Sequence, residues 1–442
     1  MNDVASSAVL VLGGGASGIA AARLLRRENR AVVVADERGA ASEDIAGVSW
    51  VSDLPDLRKT SFAFAVISPG FAREHPWLAA LREFGVCLIP EFEYGVTAMP
   101  KALVIAVTGS NGKSSLVKWI ADTLTAEGKR AVAAGNYGLP PCALAAAGDV
   151  PEVLVLELSS FQLEQAVRFQ PDIAIVLNLA PNHLDRHGAM SRYIAAKARL
   201  LDHPPRLMPP LVHAPAWPLL EAVVPPGLKP VLFDAPASAA VGEGGVDLSD
   251  TWWGRSPLRA NAQAALAVFA FLGIPASAVR RSAERFAPLP HRLELVAEFQ
   301  GVRYINDSKA STLTALAAAV AAGPEKKHLI AGGILKETDV NFVKEILAKH
   351  CAFVYAIGQA AEKLTREWGD TVACEPCRDL ATAVRMASDR ARSGDVVLLS
   401  PGCSSFDQFR GYGHRGDVFK ELVQACIREQ KDKETNHMQG VR

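Results

Sequence analysis

The chain alternates short apolar blocks with glycine, serine and charged residues. Residues 9–12 are apolar and run into Gly13-Gly14-Gly15-Ala16-Ser17-Gly18; a helix-like stretch around 20–25 follows, then a second apolar block at 31–35 closed by Asp36. Short apolar runs bounded by turn residues and separated by helix-length segments predict strand–loop–helix–strand units, hence a parallel α/β sheet. The pattern recurs at 64–67, closed by Ser68-Pro69-Gly70, and at 103–107, which leads into Thr108 and a helix over 114–127. Further blocks at 153–156 and 173–177 stop at Glu157 and Asn178. The stretch 204–254, rich in Pro, Ala and Gly, carries a weak pattern; 260–272 predicts a buried helix, and Pro288-Leu289-Pro290 a linker. A last strand set, at 302–305, 328–331, 353–357 and 396–399, ends on Asn306-Asp307, Gly332-Gly333, Gly358 and Ser400-Pro401-Gly402. The charged tail from Arg428 lacks apolar periodicity and is expected to fray.

Composition narrows the class. The chain has 442 residues with 47 Lys+Arg against 47 Asp+Glu, so its net charge is zero and no bulk nucleic-acid or anionic-membrane partner is expected. No apolar run approaches the ~20 residues that span a bilayer. Met1-Asn2-Asp3 lacks the basic start of a secretory leader, and seven scattered cysteines suit a reducing cytoplasm. Cys374 and Cys377 are the one close pair and read as structural.

The most specific chemistry lies in Thr108-Gly109-Ser110-Asn111-Gly112-Lys113-Ser114-Ser115. A glycine-containing loop between a strand and a helix points backbone N–H groups and a helix N-terminus at phosphate oxygens. Lys113 offers a charge to the β and γ phosphates, and Ser114 or Ser115 a hydroxyl to Mg²⁺. The motif is shorter than a full Walker A loop, because Val107 stands where its first glycine belongs. Gly13, Gly15 and Gly18 followed by Asp36 fit a dinucleotide-type fingerprint, while a tight turn that lets a helix pack closely is the lesser alternative. Glu157, at the end of a buried strand, suits a Mg²⁺ ligand. His183, in Asn182-His183-Leu184-Asp185-Arg186-His187, is too polar in its surroundings for core. Spacing alone makes Lys197 a solvated helix lysine. Asp307, Lys309 and Lys336 follow strand ends, and Arg292 sits at the expected hinge. The predicted architecture is therefore α/β with three domains: a Rossmann-like domain at 1–95, a P-loop-type ATPase domain at 96–288 and a second Rossmann-like domain at 289–442.

These motifs together resemble the Mur ligase family of peptidoglycan synthesis over nearly the whole chain. The Gly-Ser-Asn-Gly-Lys-Ser loop is shared with folylpolyglutamate synthetases. Leu158-Ser159-Ser160-Phe161-Gln162-Leu163, His183 to His187, Ile305-Asn306-Asp307-Ser308-Lys309-Ala310 and Leu399 through Asp407 are similar to the branch that adds D-glutamate. The resemblance implies an ATP-dependent ligase that extends UDP-N-acetylmuramoyl-L-alanine with D-glutamate through an acyl phosphate. It would act as a cytoplasmic monomer serving cell-wall synthesis, cell shape and division. ATP would be held by Gly109 to Ser115, Asn261, Arg292 and Asp307, and two Mg²⁺ by Ser114, Glu157, His183 and a carbamylated Lys197. Lys113, His183, Lys197 and Lys309 would be catalytic. Gly15, Ala16, Ser17, Asp36, Glu37, Arg38, Gly70 and Asn136 would hold the UDP substrate. Ser311, Lys336, Ser405, Phe406 and Tyr412 would shape the glutamate pocket. Three rivals stay open: the same nucleotide with L-glutamate or another amino acid, a nucleotide-dependent oxidoreductase resting on Gly13–Gly18, and a non-catalytic nucleotide-binding regulator.

Overall fold

A computed structural model describes residues 8–39, 45–234, 246–254, 258–337 and 339–440. The chain divides into two compact units, one of residues 1–253 and 260–285, the other of 254–259 and 286–442. The first holds two parallel sheets and the second a third sheet, so the α/β class with three sheet-centred domains is as expected.

The first sheet has the order β3-β2-β1-β4-β5. Its strands are β1 (Ala8–Leu12), β2 (Val32–Ala35), β3 (Val48–Val51), β4 (Phe62–Ile67) and β5 (Leu88–Pro90). Helix Ala16–Arg27 crosses from β1 to β2 and buries Ala20, Ala21, Ala22, Leu24 and Leu25. Its close approach depends on Gly18, because a Cβ there would lie 1.7 Å from the Gly13 carbonyl oxygen. The order 3-2-1-4-5 is that of a doubly wound nucleotide-binding sheet, whose crevice opens beyond the C-terminal ends of β1 and β4.

The second sheet runs β11-β10-β9-β6-β8-β7. It is built from β6 (Leu103–Thr108), β7 (Ala131–Gly135), β8 (Val153–Glu157), β9 (Ile173–Val176), β10 (Leu211–His213) and β11 (Val231–Phe233). Strands β6, β8 and β9 are apolar along nearly their whole length because both faces are covered. Helix Lys113–Ala126 follows β6 and is anchored by fully buried Trp119, stacked on Trp253 at 4.3 Å and edge-on to Phe269 at 5.3 Å.

In the second unit the order is β12-β13-β17-β14-β15-β16. The strands are β12 (Glu294–Phe299), β13 (Val302–Asn306), β14 (Lys327–Gly332), β15 (Cys351–Ile357), β16 (Cys374–Pro376) and β17 (Val396–Leu399). Among the described residues of this sheet, only β12 is antiparallel, joined to β13 through Gln300-Gly301. The expected fraying of the tail is corrected: helix Tyr412–Gly440 carries it to residue 440. That stretch has no glycine or proline between Asp417 and Gln439 and is rich in Lys, Glu, Gln and Arg, all good helix formers. All seven cysteines are free thiols, Cys374 and Cys377 included.

Candidate active site

In the first unit, the loop after β6 is held from several sides. Ser110 Oγ meets the Ala180 carbonyl at 2.9 Å and the Tyr193 hydroxyl at 2.8 Å. Asn178 accepts from the Asn111 N–H at 2.9 Å and donates back to its carbonyl at 3.1 Å. Gly112 precedes the helix with φ of 85°, a left-handed value that favours glycine, and a Cβ there would lie 2.1 Å from Asn261 Nδ2. Asn261, expected at the adenine, thus stands against the loop. Lys113 Nζ bonds the carbonyls of Gly109 (2.8 Å) and Ser110 (3.0 Å). Ser114 and Ser115 are both buried.

Ser114 Oγ donates to Glu157 at 2.5 Å, and the other carboxylate oxygen of Glu157 accepts from Asn136 Nδ2 at 2.7 Å. Register explains the meeting: β6 and β8 pair Val107 with Glu157, and β7 and β8 pair Gly135 with Glu157. A buried carboxylate beside a hydroxyl offers hard oxygen donors of the kind Mg²⁺ takes. Among the described residues, no three His, Cys, Asp or Glu side chains cluster as a metal cage. A Mg²⁺ ion fits such a partial set, since it keeps water and phosphate oxygens in its shell.

The reading of Lys197 as a solvated lysine is overturned. Its side chain is 1% exposed, with Nζ 2.7 Å from the Gly109 carbonyl and 4.8 Å from the Tyr193 ring centroid. One helical turn separates Lys197 from Tyr193, and that spacing puts both on the inner face of helix Met190–Ala198. Burial first, and the nearby Lys113 charge second, hold the Lys197 amine well below the usual lysine range, against a smaller pull from Glu157. His183 caps helix Leu184–His187 in the left-handed region, φ 54°, with its ring 4.8 Å from that of Phe161. A non-glycine residue held there is the kind of local strain that gathers at functional sites.

The glycine turn after β1 opens a cavity of about 520 Å³. Gly15, Ala16, Ser17, Asp36, Glu37, Arg38 and Gly70 all line it, so these residues expected at the UDP moiety are brought together. Asp36 accepts from the Gly14 N–H at 2.6 Å and pairs with Arg38, chiefly through which its carboxyl falls to about 2. Asn136 is not at this cavity; it lies with Glu157 on the second sheet.

In the second unit, Asp307 accepts from Ser400 Oγ at 2.9 Å, and burial pushes its carboxyl up to about 7. Lys309 Nζ lies 3.7 Å over the Tyr412 ring. Arg292 lies between His291 and Leu293, both at positive φ. Ser405 is buried, Ser311 half-buried, and Lys336, Phe406 and Tyr412 are exposed. Arg415 escaped the sequence reading. It is 1% exposed and ties the two loops, bonding Ser308 Oγ (3.0 Å), the Ser308 carbonyl (2.8 Å) and the Cys403 carbonyl (3.1 Å). Its position in Gly413-His414-Arg415-Gly416, an arginine between glycines at a helix start, was the available signal.

Residues 107–207 match the Mur ligase middle domain, and 291–403 the Mur ligase glutamate ligase domain. The chain is 35% identical to the UDP-N-acetylmuramoylalanine–D-glutamate ligase of Koribacter versatilis, over 83% of this chain and 84% of that one. With the enzyme of the same name from Acidobacterium capsulatum, the identity is 37% over 81% and 82%. Among solved structures, the UDP-N-acetylmuramate–alanine ligase of Thermotoga maritima aligns with TM-score 0.57 at 16% identity, covering 95% of this chain and 99% of that one. The MurF ligase of the same organism, in complex with ADP, gives 0.57 at 15% over 97% and 100%. At those identities the likeness is one of fold. The oxidoreductase reading of the Gly13–Gly18 turn finds no support among these relatives. The chain belongs to the Mur ligase family, and with it to the ATP-dependent, ADP-forming amino-acid ligases.

Proposed function

We propose that this enzyme joins the amino group of D-glutamate to the terminal carboxylate of UDP-N-acetylmuramoyl-L-alanine. The names of its relatives support both substrates. The observation that carries the reading is that Lys113 and Lys197 both set their amines on the Gly109 carbonyl, beside the Ser114–Glu157 pair. A carboxylate is a poor electrophile because it is anionic and lacks a leaving group. Transfer of the γ-phosphoryl group from ATP gives an acyl phosphate and ADP, which removes both faults. The amine then attacks the acyl carbon, and phosphate leaves as the amide forms and the amine gives up a proton.

Such a transfer depends on positioning and neutralisation of charge more than on covalent help from the protein. Lys113 leaves its two loop carbonyls for the phosphates of ATP. Ser114 and Glu157 would hold a Mg²⁺ ion, whose charge would offset that of the phosphoryl oxygens. An amine kept neutral by burial can add CO₂: nitrogen bonds to carbon, one C=O becomes a carboxylate, and a proton leaves. Lys197 would carry that carbamate and, with His183, would hold a second Mg²⁺. Residues 1–95 serve the UDP moiety, 96–288 ATP and 289–442 the amino acid. Asn136 serves the muramoyl group and Asn261 the adenine; Arg292, Asp307 and Lys309 serve the nucleotide. Ser311, Lys336, Ser405, Phe406 and Tyr412 serve glutamate. ATP and UDP-linked substrates make the cytoplasm its working compartment, and the product serves growth and division of the cell wall.

The test is phosphate release from ATP with UDP-N-acetylmuramoyl-L-alanine and either enantiomer of glutamate. Release with D-glutamate at least tenfold faster than with L-glutamate is expected, a preference of about 1.4 kcal/mol. Faster release with L-glutamate transfers the reading to the L-adding alternative, and no release with either sinks it.

A further inference from the structure

Arg186 has no assigned role, yet it joins the cavity beyond β1 and β4 to the peptide that carries His183. It stands in the four-residue helix Leu184–His187, and its backbone N–H bonds the His183 carbonyl at 3.1 Å. Its guanidinium reaches across to the loop that walls the cavity. There Nη2 donates to the Phe71 carbonyl at 2.8 Å, and Nη1 lies 3.5 Å from the Pro69 carbonyl. The same Nη2 pairs with Glu164 at 2.5 Å. Gln165 adds a second donor to the Phe71 carbonyl, at 3.3 Å. The loop's outward carbonyls are thus held by side chains of the central domain.

The other face of the guanidinium meets the metal side. Its central carbon lies 4.0 Å over the Phe161 ring, and the His183 ring packs edge-on against Phe161 at 4.8 Å. Phe161 sits in helix Ser160–Leu163, which a capping box between Ser159 and Gln162 fixes just after Glu157. The guanidinium fork is what this span requires: a planar group with several donors reaches two carbonyls and a carboxylate at once, while a lysine offers one point charge. The Arg186–Glu164 pair is only partly buried, so its net contribution to stability is small and its main effect is the geometry it imposes.

We infer that Arg186 is a positioning residue that locks the wall of the nucleotide cavity to the backbone of His183, so that a seated UDP-sugar is held in register with the reacting end of the site. The inference rests on the function proposed above. If the wild-type enzyme releases no phosphate with UDP-N-acetylmuramoyl-L-alanine and D-glutamate, both fall together. With an active wild type, the full-length variants R186K, R186A and Q165A test the strap alone. Both Arg186 variants should raise KM for UDP-N-acetylmuramoyl-L-alanine about tenfold, the effect of one lost charge-assisted hydrogen bond. Their KM for ATP should stay within about twofold. Q165A should shift the same KM in the same direction by about threefold, and it keeps the measurement available if the Arg186 variants fold poorly. A role confined to balancing the Glu164 charge predicts that R186K behaves as wild type. That result would overturn the inference, as would an equal rise in both KM values or a fall in kcat with both unchanged.

Discussion

The amines of Lys113 and Lys197 share a single acceptor, the Gly109 carbonyl, at 2.8 and 2.7 Å. Two like charges so close cannot both be comfortable, and burial settles the matter by favouring the neutral form of Lys197. Lys113 stays half-buried at the mouth of the loop and is the group available to phosphate. Replacing Lys113 by alanine is therefore expected to lower kcat by about 10²–10³, the usual effect of removing one preorganised donor to developing charge. Melting should change little, since Lys113 is half-buried and bonds carbonyls of its own loop. Steady-state phosphate release and a thermal melt on the same sample check both halves; near-normal turnover would contradict the assigned role. At this scale the loop was legible from the motif alone. The burial of Lys197 was not, because helical spacing says which residues share a face and not which face is covered.

Helix Lys113–Ala126 carries that loop, so its packing sets where the loop's N–H groups point. Trp119 is the anchor: it is fully buried, stacked on Trp253, and its indole N–H donates to Ser282 Oγ at 3.0 Å. Trp119→Ala should destabilise the enzyme by about 3–5 kcal/mol, the range for truncating a buried large aromatic. Urea unfolding followed by tryptophan fluorescence measures it; a loss under about 1 kcal/mol would mean that the helix is held elsewhere. The strands divide by position. Apolar runs reveal β1, β2 and β4 in the first sheet, β6, β8 and β9 in the second, and β13, β14, β15 and β17 in the third. The edge strands β3, β5, β7, β11, β12 and β16, together with β10, are not among the blocks singled out from the sequence, their runs being short, alanine-rich or interrupted. An edge strand is short and covered on fewer sides, so its residues need not be continuously apolar.

Within the first unit the two sheets are joined through buried side chains as well as packing. Glu91 opens helix Glu91–Thr97, is 2% exposed, and accepts the Cys142 N–H at 2.8 Å. Burial pushes its carboxyl from 4.5 up to about 7. The unfolded chain loses this proton near 4.5 and the folded enzyme near 7, so the folded state binds more protons between the two. Stability therefore falls as pH rises through that window and levels off above it. Glu91→Gln keeps an acceptor for Cys142 and removes the titration. Relative to wild type, it should gain on the order of 3 kcal/mol between pH 4.5 and pH 7.5. Calorimetric melting of both proteins across that range checks it; a constant difference would show that Glu91 does not titrate as described.

What the linear chain determined by itself was chemistry carried by contiguous residues: the phosphate loop, the glycine turn, and the interior strands whose apolar runs need cover on both faces. The ligase branch was likewise readable, since its motifs are continuous. Tertiary structure alone decided which distant residues meet. Strand register brings Ser114, Asn136 and Glu157 together, and packing of helix Met190–Ala198 against the loop buries Lys197. Arg186 and Arg415 became visible only when folded, because each bonds a carbonyl far away in sequence, Phe71 and Ser308 respectively. Any arginine can do that, and local sequence does not say which distant carbonyls it reaches.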